Sequence, residues 1–249
     1  MELAETTILL LVIAAFVAGF IDSIAGGGGL IAIPALLVAG LPPLAALGTG
    51  KLQALFGAGM AAIAYARGGH VDLWKLAPLA LVAFAGSVCG ALLATILPTR
   101  LLAQVMPIAL ITIALYFAVK PDPGELERSA RIPFIFFASA VVPVIGFYDG
   151  VFGPGAGSFY MLAYVALAGY GLLKATAHTK LLNFASNVGG FVIFAAGGSV
   201  LWGLGLMMGA AQIAGATLGA RLAMKNGSKL IKPLLVITCL AMAGRLLLT

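Results

Sequence analysis

Gly19-Phe-Ile-Asp-Ser-Ile-Ala-Gly-Gly-Gly-Gly-Leu30 interrupts an apolar run over 7–40, and Gly146-Phe-Tyr-Asp-Gly-Val-Phe-Gly-Pro-Gly-Ala-Gly-Ser-Phe159 interrupts another over 132–169. Each run is long enough to cross about 30 Å of hydrocarbon. Four consecutive glycines, or Gly-Pro-Gly, do not continue one regular helix, so neither run is a single span. The two breaks correspond: Gly19, Phe20, Asp22, Gly26 and Gly28 recur 127 positions later as Gly146, Phe147, Asp149, Gly153 and Gly155. Downstream, Gly40, Leu44, Ala46, Lys51 and Leu52 recur 129 positions later as Gly169, Leu173, Ala175, Lys180 and Leu181. The chain reads as two copies of one unit, and glycine-broken segments in matching places of two halves point to a transporter built from structural repeats.

The rest of the sequence places both copies in a membrane. Of 249 residues, 62% are apolar and only 9% charged, against roughly 25% charged in soluble domains. A water-facing surface needs more than 14 Lys+Arg and 8 Asp+Glu, so most of it faces lipid. The net charge of +6 forms no basic run or face that would track phosphates, which excludes nucleic acid as a partner. Cys89 and Cys239 sit in apolar stretches with no second thiol or histidine at ligand spacing and are read as packing residues. Glu2 and Glu5 precede the first apolar run where a cleavable signal would carry basic residues, so 7–20 is expected to stay in the mature protein.

Six uninterrupted spans are expected at 44–66, 75–97, 100–119, 172–196, 200–223 and 229–248. If each broken run crosses once, the halves lie parallel, and Arg67, Lys75, Lys120, Arg128 and Arg131 face Lys174, Arg221, Lys225, Lys229 and Lys232 across the membrane with no bias. If each dips in and returns, all of these share one side and Arg100 and Arg245 take the other, in keeping with cytoplasmic positive loops. The second arrangement is therefore predicted: an all-α polytopic membrane protein of inverted repeats, each with a re-entrant helix pair and three full spans, both termini outside. An eight-span parallel arrangement is the alternative. The single transmembrane domain, 1–249, then divides into a first repeat at 1–119, a cytoplasmic linker at 120–131 and a second repeat at 132–249.

Three groups of residues carry candidate chemistry. Gly26–Gly29 and Gly153–Gly157 free backbone N–H groups from the helix ladder, and a half-helix starting there points its positive end at the break, a prebuilt anion site. The plainer reading is close helix contact through small residues. Asp22, Asp149, Lys51 and Lys180 lie within apolar segments, where a lone charge costs roughly 2.5–3.5 kcal/mol, so one Asp and one Lys per half are placed to pair. Those groups either hold the broken helices together or bind an anion, with the aspartates positioning the lysines or carrying protons. Thr176, Thr179, Lys180, Asn183, Ser186 and Asn187 form a polar stripe at spacings of three and four, matched only by Thr49, Lys51 and Gln53 in the first half. His178 beside the stripe reads as a structural histidine and His70 as a loop residue. The candidate substrate-binding set is thus Gly27, Gly28, Gly29, Thr49, Lys51, Gln53, Gly155, Gly157, Ser158, Lys180, Asn183, Ser186 and Asn187, with Asp22 and Asp149 as coupling or ion-pair groups. Gly48-Thr-Gly-Lys51 lacks the Ser/Thr that a phosphate-binding loop requires after its lysine. No catalytic set, metal ligands or cofactor motif is found, so no enzyme activity is expected.

The two broken motifs, followed by Thr49-Gly-Lys51 and by Ala175-Thr-Ala-His-Thr-Lys-Leu-Leu-Asn-Phe-Ala-Ser-Asn187, resemble the sulfite exporter TauE/SafE family over nearly the whole chain. Gly50 stands where that family usually has Asn. The resemblance implies a permease for sulfur-containing anions such as sulfite or organosulfonates in a bacterial inner membrane. With the cell interior negative, outward movement of one negative charge gains about 2.3 kcal/mol per 100 mV, so export by uniport needs no coupling. An anion channel, or a proton-coupled uptake permease for another small organic anion, is the alternative. The expected partners are a small anionic substrate and the lipid bilayer, and a homodimer is compatible with the sequence.

Overall fold

The computed structural model describes residues 4–98, 100–101 and 127–227, and these form helices and short connections without a strand. Helix α1, Glu5–Ala25, ends where Gly26 turns to φ 80° and its N–H closes on the Asp22 carbonyl. Such a left-handed residue ends helices readily only when it is glycine. Helix α2, Gly29–Val38, follows after a three-residue break, and α3, Pro43–Arg67, opens on a proline, which the first turn tolerates. Helix α4, Leu73–Ile96, is capped by Asp72, whose carboxylate accepts the N–H groups of Trp74 and Lys75 at 3.1 and 3.2 Å. Those bonds hold the Asp72 carboxyl below the usual carboxylate range.

In the second half, α5 is Phe134–Val151, with a π turn over Phe137–Val141 just before Pro143. The wider turn accommodates a residue that has no N–H and whose ring would strike the preceding turn. Helices α6, Ala156–Ala166, α7, Leu172–Ala196, and α8, Trp202–Asn226, complete the described chain. The expected spans 44–66, 75–97, 172–196 and 200–223 are found as α3, α4, α7 and α8, while those at 100–119 and 229–248 lie outside the described residues. By length and apolarity α1, α4, α5 and α8 can each cross a membrane. Helix α1 alone, with 21 residues, is about 31 Å long. The arms of each broken run are therefore unequal, since α2 has 10 residues and α6 has 11.

Helix directions follow from the contacts. Gly215 abuts the Phe16 carbonyl and Gly219 that of Phe20, so α1 and α8 run the same way. Gly86 abuts Pro143 and Gly90 abuts Phe147, so α4 and α5 do likewise. Helices α3 and α8 are also parallel, with Gly205 on Leu52 and Gly209 on Phe56. The central pair α3 and α7 is antiparallel: Gly48 meets Phe194, Lys51 meets Gly190 and Gly59 meets Phe184. Helix α2 returns along α1, placing Gly28 against Ala18 and Asp22, and Leu36 in one cluster with Leu11 and Ala15. Helix α6 returns along α5, with Tyr160 OH donating to the Val142 carbonyl at 3.4 Å and the Tyr164 and Phe137 rings 4.9 Å apart. Each glycine-broken run is a helical hairpin.

These directions sort the charges. Arg67, Lys75, Arg128, Arg131, Lys174, Arg221 and Lys225 gather at one end, where Gly68 faces Met224 and the N–H groups of Arg128 and Arg131 bond to the Gly169 and Leu167 carbonyls. The other end joins Leu11, Leu36, Leu41, Ala46 and Leu204 in one apolar cluster, and Arg100 follows the end of α4 there. Lys120, Lys229, Lys232 and Arg245 lie outside the described residues. The flanks are apolar and exposed, as at Leu81, Ile135 and Val144, in keeping with a lipid-facing surface.

Candidate functional site

The tips of the two hairpins cross. The N–H of Ser158 donates to the Gly26 carbonyl at 3.1 Å and its hydroxyl donates to the Ala25 carbonyl at 2.7 Å, so the start of α6 closes the open carbonyl end of α1. A Cβ at Gly157 would stand 2.7 Å from the Gly26 carbonyl oxygen, so only glycine permits this backbone contact. The four intramembrane charges surround the crossing. Lys51 reaches Asp149 at 2.6 Å, and the Ser186 hydroxyl donates to the other carboxylate oxygen. Lys180 donates to the main-chain carbonyl of Asp22 and stands 3.9 Å from its carboxylate. The expectation of one pair within each half is thus corrected: both pairs run between halves, because the antiparallel α3 and α7 carry each lysine to the opposite hairpin.

Beside the crossing lies a cavity of about 40 Å³, roughly three times the 10–15 Å³ that one water occupies. Gly28, Gly29, Gly155 and Gly157 line it together with Asp22, Asp149, Lys51, Asn183 and Asn187. The N–H of Gly28 is taken by Asp22, whereas among the described residues none of the backbone bonds closing the breaks uses the N–H of Gly29, Gly155 or Gly157. The cavity therefore joins unused donors at the N-termini of α2 and α6 to an ammonium group and two amides, a set suited to oxyanions.

The other expected site residues stand behind this wall. Gly27 precedes α2, and the Thr49 hydroxyl accepts the N–H of Leu201 at 3.0 Å, anchoring the start of α8. Gln53 and Thr179 are buried, each with an unpartnered side-chain oxygen. Ser158, Lys180 and Ser186 are joined to the crossing by the bonds described above. His178 packs edge-on to Tyr164 and Tyr170, with its Nδ1 2.9 Å from the Lys174 carbonyl, a structural role.

Sequence reasoning passed over Gln212, Gly50 and Phe152, which also line the cavity. Gln212 is the only amide in α8 before its terminal Asn226, and an amide within an apolar span is the signal that would have found it. Gly50 leaves room for the Ile33 side chain and for the cavity itself. The lining is offset: Leu47, Gly50 and Lys51 of α3 contribute, but their counterparts Thr176, Thr179 and Lys180 of α7 are packed away from it. The space lies toward the end remote from the basic loops.

The described residues thus form a bundle of apolar helices with paired charges and a polar cavity at crossed hairpin tips. The family model for the sulfite exporter TauE/SafE matches residues 11–246, and the chain belongs to that family. It is 58% identical to a probable membrane transporter protein, ORF9, of Sinorhizobium sp over 246 residues, covering 99% of this chain and 94% of the relative. It is 48% identical to the probable membrane transporter protein YfcA of Escherichia coli K12 over 233 residues, covering 94% and 87%. A probable membrane transporter protein of Haemophilus influenzae is 43% identical over 246 residues, covering 99% and 96%. No solved structure matches the chain.

Proposed function

We propose that the protein carries small sulfur-containing anions, such as sulfite or organosulfonates, across a bacterial inner membrane, with export the direction that the family's name carries. The observation that carries the reading is the cavity shared by the N-termini of α2 and α6 with Lys51, Asn183 and Asn187. A small space of this size favours a carrier over an open channel. Purified protein is expected to be stabilised in thermal-shift or calorimetric titration by one or more of sulfite, sulfate, sulfoacetate, thiosulfate and taurine, in preference to small carboxylates. Asn187→Ala, which removes an amide from the wall, is expected to weaken that binding at least tenfold while expression stays intact. Stabilisation by carboxylates alone, or full binding by the variant, would overturn the assignment.

The same proposal holds the two halves to be inverted repeats with re-entrant hairpins, and the basic end to be cytoplasmic. The return of α2 along α1, the antiparallel setting of α3 and α7 and the gathering of basic residues at one end all support it. Transport then proceeds by rocking of one half on the other around the crossing. The topology is checked by cysteine labelling: a cysteine placed near Gly124 is expected to resist membrane-impermeant reagents in intact cells and to react after lysis. Labelling in intact cells would reverse the orientation.

A further inference from the structure

The two buried pairs are unequal. Both oxygens of Asp149 are held by strong donors, the Lys51 ammonium at 2.6 Å and the Ser186 hydroxyl. Asp22 is held loosely: its oxygens accept the Gly28 N–H at 3.2 Å and the Asn183 amide at 3.4 Å, and Lys180, 3.9 Å away, donates to the main-chain carbonyl. The two donors on the Asp22 carboxylate belong to residues that line the cavity, as Asp22 itself does. An entering anion and this carboxylate therefore compete for the same hydrogen bonds.

We infer that Asp22 binds a proton together with the transported anion, so that each anion carried is accompanied by one proton. The inference rests on the anion reading above. Without cargo the four charges, Lys51, Lys180, Asp22 and Asp149, sum to zero. A monoanion entering alone leaves one uncompensated charge among buried groups, and a proton on Asp22 restores neutrality. The same proton withdraws the carboxylate as an acceptor and releases the Gly28 N–H and the Asn183 amide to the anion. Water on the loading side supplies the proton to the Asp22 carboxylate, and it returns to water on the far side as the anion leaves.

The groups facing Asp22 suit this role. Helix α7 presents Lys180, Lys51 of α3 and Asp149 of α5 line the same cavity, and the Tyr65 hydroxyl of α3 donates to the neighbouring Ser23 carbonyl at 2.9 Å. Helix α2 meets it with Gly28, and Gly155 and Gly157 at the start of α6 and Gln212 of α8 share the cavity, to which these three helices bring no charged or imidazole group among the described residues. His178 turns away to Tyr164 and Tyr170. Transport of a monoanion is then electroneutral, and export runs on the combined gradients of anion and proton, independent of the membrane potential.

The test uses the full chain in detergent, with thiosulfate and methanesulfonate as probes beside sulfite, because those two take up no proton near neutrality. Titration calorimetry in buffers of different ionisation enthalpy is expected to show one proton taken up per anion bound. Affinity is expected to rise about tenfold for each unit by which pH falls through the titrating range. Asp22→Asn is expected to abolish the slope, whereas Asp22→Glu, which keeps a carboxyl, retains it. The proton count on the unaltered protein stands even if a variant fails to fold. Anion binding with no proton uptake, or an unchanged slope in Asp22→Asn, overturns the inference and leaves the anion reading intact. Failure of every sulfur oxyanion to bind at any pH overturns both.

Discussion

Gly26→Ala is expected to abolish transport and to destabilise the protein by more than 4 kcal/mol, at the upper end of single substitutions. Two effects combine. The residue sits at φ 80°, where alanine is strained by about 1 kcal/mol, and the added Cβ would fall on the backbone of Gly157 and 2.5 Å from the Ser158 nitrogen. Main-chain atoms fixed in a second hairpin cannot rotate aside as a side chain would. Relief requires the hairpins to part, which breaks both bonds from Ser158. Gly40→Ala is the control, since Gly40 has φ 90° but nothing within 4 Å of the added atom. It is expected to lose only the strain, about 1 kcal/mol. Thermal unfolding of the purified variants, followed by flux in proteoliposomes, separates the two. Equal behaviour would mean that the crossing is not the tight contact described here.

Lys51→Met is expected to cost about 3–5 kcal/mol, because it leaves the Asp149 carboxylate buried with only the Ser186 hydroxyl. Adding Asp149→Asn removes the stranded charge, so the double variant is expected to recover most of that stability. Its transport is the informative quantity. Recovery of stability without transport assigns Lys51 to the anion, whereas recovery of both makes the pair purely structural. A double variant no more stable than the single would show that the pair is not the source of the loss. Unfolding midpoints and flux measured on the same preparations decide among these.

Much of the frame was legible in the sequence because glycine and charge are rare inside spans. Asp22 and Gly26–Gly29, repeated as Asp149 and Gly153–Gly157, located both breaks, and the bounds of α3, α4, α7 and α8 fall within three residues of the expected spans. The distribution of arginine and lysine favoured hairpins over single crossings. Partnership was not legible. Whether Lys51 meets Asp22 or Asp149 depends on α3 and α7 passing in opposite directions, a long-range fact with no local signature. The polar stripe of α7 also proved to be divided: Asn183 and Asn187 reach the cavity, whereas Thr176 bonds back to the Leu172 carbonyl and Ser186 supports Asp149. A helical period identifies one face, but neighbouring helices decide which part of that face borders empty space.

The crossed pairing reaches back to the moment of synthesis. Asp22 and Lys51 leave the ribosome in the first half of the chain, and their partners lie 158 and 98 residues further on. At roughly 5–20 residues per second, those partners follow about 5–30 s later. Throughout that interval each group lacks its final partner, and a charge left unpaired in a hydrophobic segment costs roughly 2.5–3.5 kcal/mol. The first three helices therefore complete their charge pairing only when Asp149 and Lys180 emerge. Because both pairs join the halves, neither half is a finished bundle by itself.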